Sequence, residues 1–179
     1  FFDADGDLDL DMYLLRNSFV SYNRNQIRKK ELDGLAESND KLYRNDGPVA
    51  AGNVHFTEIS KESGILIEGF GLGVSACDLD ENGKTDIYAT NDFLTNDLFW
   101  ENQGGGKFKN EAPRYLKHQT YNAMGHDIAD FNNDGLLDIV AVDMLPPDNK
   151  RWKLTIMGNR FDEHYQSLET GYEPQFIRN

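Results

Sequence analysis

An acidic nine-residue loop followed by a short alternating run occurs three times in this chain, and no other feature narrows the fold as much. The second copy is Asp78-Leu79-Asp80-Glu81-Asn82-Gly83-Lys84-Thr85-Asp86, followed by Ile87-Tyr88-Ala89-Thr90. The third, 52 residues on, is Asp130-Phe131-Asn132-Asn133-Asp134-Gly135-Leu136-Leu137-Asp138, followed by Ile139-Val140-Ala141-Val142. The first is Asp3-Ala4-Asp5-Gly6-Asp7-Leu8-Asp9-Leu10-Asp11, followed by Met12-Tyr13-Leu14-Leu15. Closing this copy at Asp11 aligns Asp11-Met12-Tyr13 with Asp86-Ile87-Tyr88, but sets Leu8 where the others have Gly83 and Gly135. Closing it at Asp9 recovers Gly6 and puts Phe1 in the first position. We take the Asp11 register, with Asp9 as the alternative.

The repeat extends beyond the loops. Leu42-Tyr43-Arg44-Asn45, Phe99-Trp100-Glu101-Asn102 and Phe176-Ile177-Arg178-Asn179 share one pattern, a short strand ending in Asn. Turn residues follow the first two, Asp46-Gly47 and Gly104-Gly105-Gly106, and then an aromatic, Phe56 or Phe108. Phe56 to Gly73 and Phe108 to Gly125 both span 17 residues. Each unit therefore predicts four short strands in roughly 50 residues, the size of a propeller blade. The expected fold is all-β: about three blades of a β-propeller across residues 1–179, with a helical insertion near the C-terminal end. Closed propellers take roughly four to eight blades, and the chain opens inside a copy of the motif, so a longer natural chain is expected.

The loops have the chemistry of a hard-cation site. Calcium takes about six to eight oxygens from carboxylates, amides, carbonyls and water. Side chains at positions 1, 3, 5 and 9 of a tight loop can converge, Gly at 6 permits the turn, and position 7 offers its carbonyl. That assigns Asp78, Asp80, Asn82, Lys84 and Asp86 to one ion, and Asp130, Asn132, Asp134, Leu136 and Asp138 to another. Asp3, Asp5, Asp7, Asp9 and Asp11 form the third candidate, so two or three Ca²⁺ ions are expected. An EF-hand would need Glu at position 12 and flanking helices. Leu14, Ala89 and Ala141 stand there, in strand-like surroundings.

At these positions the chain resembles the FG-GAP/VCBS repeat family, best known from integrin α-subunit propellers. Phe70-Gly71-Leu72-Gly73 is similar to the signature that gives the family its name. Lys41-Leu42-Tyr43-Arg44-Asn45-Asp46-Gly47, Ile87-Tyr88-Ala89-Thr90-Asn91-Asp92-Phe93, Met124-Gly125-His126-Asp127-Ile128-Ala129-Asp130 and Val142-Asp143-Met144-Leu145-Pro146 most resemble bacterial secreted proteins grouped with cartilage acidic protein and the ASPIC/UnbV domain. The resemblance implies a calcium-stabilised propeller, secreted or on the cell surface, that binds ligands without a shared catalytic activity. No ASPIC/UnbV domain is visible in the sequence, and Leu8 departs from the family pattern.

Insertions at about 18–40 and 146–172 occupy the same connection of two units, so one face of the array is elaborated. Such faces often bind. Leu154, Met157, Phe161, Tyr165 and Leu168 predict an amphipathic helix in the second insertion, either capping the core or docking a partner. Arg24, Arg28, Lys29 and Lys30 make a basic spot in the first. The expected partners are a protein or polysaccharide at the cell surface, outer-membrane proteins among them. A net charge of −13, from 31 acids against 18 bases, argues against nucleic acid. No apolar stretch reaches the roughly 18 residues of a membrane span. Cys77, the single cysteine, is expected to be a small buried hydrophobe, and His126 to be structural. His55, His118, His126 and His164 lack metal-ligand spacing, and the Gly104–Gly106 run fits a hairpin rather than a phosphate loop. The chain is therefore expected to be a binding module rather than an enzyme. The alternative is the scaffold of a secreted polysaccharide-acting enzyme.

Overall fold

Period-two alternation of apolar residues, broken by Asn- and Gly-rich turns, specifies short antiparallel strands. The computed structural model, which describes residues 1–17, 30–49, 52–92, 95–120 and 122–144 with positions 148 and 150, is built from them. The strands are β1 (Met12–Leu14), β2 (Lys41–Pro48), β3 (Val54–Glu58), β4 (Gly71–Cys77), β5 (Asp86–Asn91), β6 (Leu98–Gly104), β7 (Lys107–Asn110), β8 (Ala123–Ala129) and β9 (Asp138–Asp143). One-turn helices α1 (Ser60–Ser63) and α2 (Ala112–Tyr115) follow β3 and β7. Among the described residues three sheets result, ordered β1-β2-β3, β4-β5-β6-β7 and β8-β9, and every pairing in them is antiparallel. The middle sheet is the four-stranded meander expected of one unit. All three sheets are open. The amphipathic stripe from Leu154 to Leu168, the Asn179 strand and the basic residues Arg24, Arg28 and Lys29 lie outside the described residues.

The sheets stack through alternate residues of the middle one. Ile87, Ala89, Leu98 and Trp100 share a buried cluster with Phe2, Ala4, Leu42, Ile65 and Phe108, which joins the first sheet to the second. Tyr88 and Phe99 sit in a separate cluster with Ala112, against which Ile128 and Ile139 of the third sheet pack. With both faces covered, β5 is buried along its whole length. Burial of side chains such as Trp100, Leu42 and Ile87 stabilises by roughly 1.5–3 kcal/mol each. Among the described residues, nothing covers the third sheet in this way. Val140 and Val142, which stand where Tyr88 and Thr90 stand in the middle unit, are about half exposed, at 47% and 56%.

His126 crosses from β8 to the second sheet. Its Nε2 lies 2.9 Å from Ser75 Oγ and its Nδ1 3.3 Å from Thr90 Oγ1, and its ring meets Tyr88 edge-on at 4.8 Å. Burial lowers its pKa, so the neutral ring is favoured. Gly73 makes this approach possible, since a Cβ there would stand 2.9 Å from both His126 Nδ1 and Thr90 Oγ1. Cys77 differs from expectation. It is only partly buried: it ends the edge strand β4, on the half-buried run with Gly73 and Ser75, next to the second acidic loop.

A second repeated contact holds the other end of the sheets. Tyr13 Oη donates to Asp40 at 2.6 Å, and Tyr88 Oη donates to Asp97 at 3.0 Å. Asp40 and Asp97 also accept backbone N–H bonds from Arg16 at 2.8 Å and Asn91 at 3.1 Å, closing the chain ends of β1 and β5. Burial pushes the Asp40 carboxyl up to about 6 and raises Asp97 as well. The connections that carry the predicted insertions leave from this end, opposite the acidic loops. The described part of the first insertion lies against residues 65–68: Gly34 N donates to Leu66 O at 3.0 Å and Glu68 N to Glu31 O at 3.1 Å.

Candidate metal centre

Each acidic loop is closed by an antiparallel pair at the same register. Cys77 pairs with Asp86, Ala129 with Asp138, and Phe2 bridges Asp11, so nine residues close every loop. β4 and β5 flank the second loop and β8 and β9 the third, while the first lies between the Phe2 bridge and β1; no helix adjoins any of them. Each backbone turns through the left-handed region twice. Position 4 does so at Gly6 (φ 90°), Glu81 (60°) and Asn133 (60°), and position 6 at Leu8 (76°), Gly83 (84°) and Asn133's neighbour-but-one Gly135 (88°).

These reversals aim backbone N–H groups at the ligand side chains. Asp78 accepts from Asn82 N at 3.0 Å and Gly83 N at 2.8 Å, and Asp130 from Asp134 N at 3.1 Å and Gly135 N at 2.9 Å. Asp3 accepts from Gly6 N at 2.7 Å and Leu8 N at 3.0 Å. Position 3 accepts from the N–H two residues on: Asp5 at 3.2 Å, Asp80 at 3.2 Å, Asn132 at 2.9 Å. Position 5 does the same: Asp7 at 3.0 Å, Asn82 at 2.9 Å, Asp134 at 2.9 Å. Position 9 reaches back to the N–H of position 2, with Asp11 to Ala4 at 2.8 Å, Asp86 to Leu79 at 3.1 Å and Asp138 to Phe131 at 3.2 Å.

In two loops the carboxylates at positions 1, 3 and 9 converge. One oxygen each from Asp3, Asp5 and Asp11 lie within 4.8 Å of one another, and so do those of Asp78, Asp80 and Asp86. The third loop holds Asp130, Asn132 and Asp138 at these positions, two carboxylates and an amide. Asp7 at position 5 is outside the three-carboxylate group. Lys84, Leu136 and Asp9 occupy position 7, where the backbone carbonyl is the available donor. Asp9 Oδ1 is buried and accepts no hydrogen bond among the described residues.

Crowding shows in the electrostatics. Burial raises the Asp86 carboxyl, Asp80 and Asp78 add to it, and the N–H groups of Asn102 and Leu79 oppose it. Burial and then Asp7 and Asp11 raise Asp5, and burial with Asp7 and Asp11 raises Asp9. A cation between such groups relieves their mutual repulsion. The donors are all oxygens, which suits Ca²⁺ or Mg²⁺ rather than a thiolate- or imidazole-seeking metal. Cys77 beside the second loop has its thiol pushed up by burial and by Asp86 and Asp78, which disfavours a thiolate ligand.

The structure also explains Asn45 and Asn102, which do not end their strands as expected but lie inside β2 and β6, where the register shifts before the turn. Asn45 N donates to Asp11 Oδ1 at 2.8 Å, and Asn102 N to Asp86 Oδ1 at 2.8 Å. Their Nδ2 groups donate to the position-8 carbonyls, Leu10 O at 3.3 Å and Thr85 O at 3.0 Å. Their Oδ1 atoms accept from Gly47 N at 3.0 Å and Gly104 N at 2.8 Å. Each Asn thus latches the closing end of its loop.

Leu8 is the irregular member of the set. It holds a left-handed backbone that disfavours side chains, and it is 93% exposed, so its leucine side chain gains nothing from packing. Leu8→Gly is expected to stabilise the protein by about 1 kcal/mol, and Gly83→Ala or Gly135→Ala to destabilise it by a similar amount. Urea midpoints in EGTA measure both.

Residues 78–141 match the model of the FG-GAP-like repeat. The matched segment runs from the first ligand position of the second loop into the strand after the third loop, and so takes in the whole middle sheet except β4. This segment therefore carries an FG-GAP-like repeat. No curated protein matches it in sequence.

Proposed function

We propose that this chain is a calcium-binding β-propeller module of a secreted or cell-surface protein, acting in protein or glycan binding and assembly. The observation that carries the calcium reading is the convergence of three carboxylates in each of two loops that share register, backbone turns and hydrogen bonding. Asp78, Asp80, Asn82 and Asp86 would hold one ion, with the carbonyl of Lys84. Asp3, Asp5, Asp7 and Asp11 would hold another, with the carbonyl of Asp9. Asp130, Asn132, Asp134 and Asp138 form the third set, with the carbonyl of Leu136. The half-exposed Val140 and Val142 support further blades, because the equivalent Tyr88 and Thr90 are covered by the next sheet. A millimolar-calcium setting outside the cell fits sites of this kind, which bind at roughly 10⁻⁴–10⁻³ M. The grouping with bacterial cartilage-acidic-protein-like secreted proteins belongs to the same reading.

The ions hold the loops, and binding belongs to the opposite end, where the long connections emerge. A glycan array and a surface-protein pull-down, each run with calcium and with EGTA, test this. Capture that chelation abolishes, without turnover of the captured glycans, is the expected result. Calcium-dependent cleavage of those glycans would overturn it.

A further inference from the structure

Asn102 belongs to the second sheet, yet its side chain reaches the first acidic loop. Its Nδ2 donates to the Ala4 carbonyl at 3.0 Å while also donating to the Thr85 carbonyl at 3.0 Å. The Ala4 N–H is held by Asp11 Oδ2 at 2.8 Å, and the Asn102 N–H by Asp86 Oδ1 at 2.8 Å. A series of hydrogen bonds thus joins the closing carboxylate of one loop to that of the other, through the two successive peptide groups that flank Ala4 Cα and through Asn102. Ala4, Asp11, Asp86 and Asn102 are all at most 3% exposed, so water cannot readily replace a lost link. A second contact runs alongside. The turn after Asn102 lies against both loops: a Cβ on Gly106 would stand 3.4 Å from Asp5 Cβ, and one on Gly104 3.8 Å from Lys84 Cδ.

We propose that the first and second loops are energetically coupled metal sites, linked by Asn102; this rests on the reading of the loops as calcium sites. An ion in the first loop fixes Asp11, and Asp11 holds the Ala4 N–H and so positions the residue whose carbonyl receives the Asn102 amide. Asn102 then holds its own N–H on Asp86, so the second loop is ordered before its ion arrives. Ordering completed by one ligand lowers the cost of binding the next, and the effect is reciprocal. Asn45 makes the corresponding local bonds to Leu10 and Gly47, which serves the first loop alone.

Calcium titration of the ¹⁵N-labelled protein resolves the sites, with the amides of Leu8, Gly83 and Gly135 reporting the first, second and third loops. Asp5→Asn, which weakens the first loop, is expected to raise the Gly83 midpoint about five-fold or more and to leave the Gly135 midpoint unchanged. With Asn102→Ala added, the Gly83 midpoint no longer depends on residue 5. Asn102→Asp provides the same test should the alanine variant fail to fold, because it keeps the oxygen for Gly104 N and lacks the amide hydrogens for Ala4 and Thr85. A Gly83 midpoint indifferent to Asp5→Asn overturns the coupling, as does coupling that survives both Asn102 variants. Three sites that titrate independently overturn the coupling alone, whereas amides that never shift with calcium overturn the calcium reading beneath it.

Discussion

Calcium at about 10 mM is expected to raise the melting temperature of EGTA-stripped protein by on the order of 10 °C. An ion that binds only the folded state stabilises by RT ln(1 + [L]/Kd), which is about 1.4–2.7 kcal/mol per site for dissociation constants of roughly 10⁻³–10⁻⁴ M. Two loops with three convergent carboxylates each therefore give about 3–5 kcal/mol. A chain of this size responds by roughly 2–4 °C per kcal/mol. Relief of repulsion acts in the same direction, since the crowded carboxyls Asp5, Asp9 and Asp86 are already raised. Magnesium should do less, because it demands near-octahedral geometry and gives up its water reluctantly. Differential scanning fluorimetry with EGTA, calcium and magnesium checks the order. A shift under about 2 °C with calcium would be too small for even one site of this affinity.

Asp86→Ala is expected to cost about 2–4 kcal/mol even in EGTA, and to remove the second site as well. Its carboxylate is fully buried and accepts the N–H groups of Leu79 and Asn102, so truncation leaves both donors unmatched. Asn82→Ala should differ sharply, because Asn82 is exposed and its loss removes a ligand without opening the sheet. Urea unfolding in EGTA and in calcium separates the two cases. Asp86→Ala lowers the midpoint in both, and Asn82→Ala lowers it mainly in calcium. Equal behaviour of the two variants in EGTA would show that Asp86 has no structural role of its own.

The loops, the strands after them and the repeated Asn were legible in the sequence, because each is a side-chain requirement that recurs at fixed spacing; that the strands run on past Asn45 and Asn102 was not. The register of the first loop was harder, since Gly6 and Leu8 offered rival alignments. Backbone geometry resolves the rivalry: both positions are left-handed in every loop, and only position 6 carries glycine in the other two. The contacts of Tyr13 with Asp40 and of Tyr88 with Asp97 were missed, although Asp40 and Asp97 each stand five residues before the repeated Asn. Val140 occupies the tyrosine position of the third unit, so that pattern does not run through all three copies. The contacts of His126 with Ser75 and Thr90, and of Asn102 with Ala4, depend on how whole sheets stack. No local spacing encodes that.

Diffraction from crystals grown in calcium tests whether the acidic loops are calcium sites built on propeller blades. The expected result is an ion in the second loop bound by Asp78, Asp80, Asn82 and Asp86 and by the Lys84 carbonyl, at about 2.3–2.6 Å, with equivalent ions in the first and third loops. Loops that keep their hydrogen bonds and hold only water at millimolar calcium would contradict it.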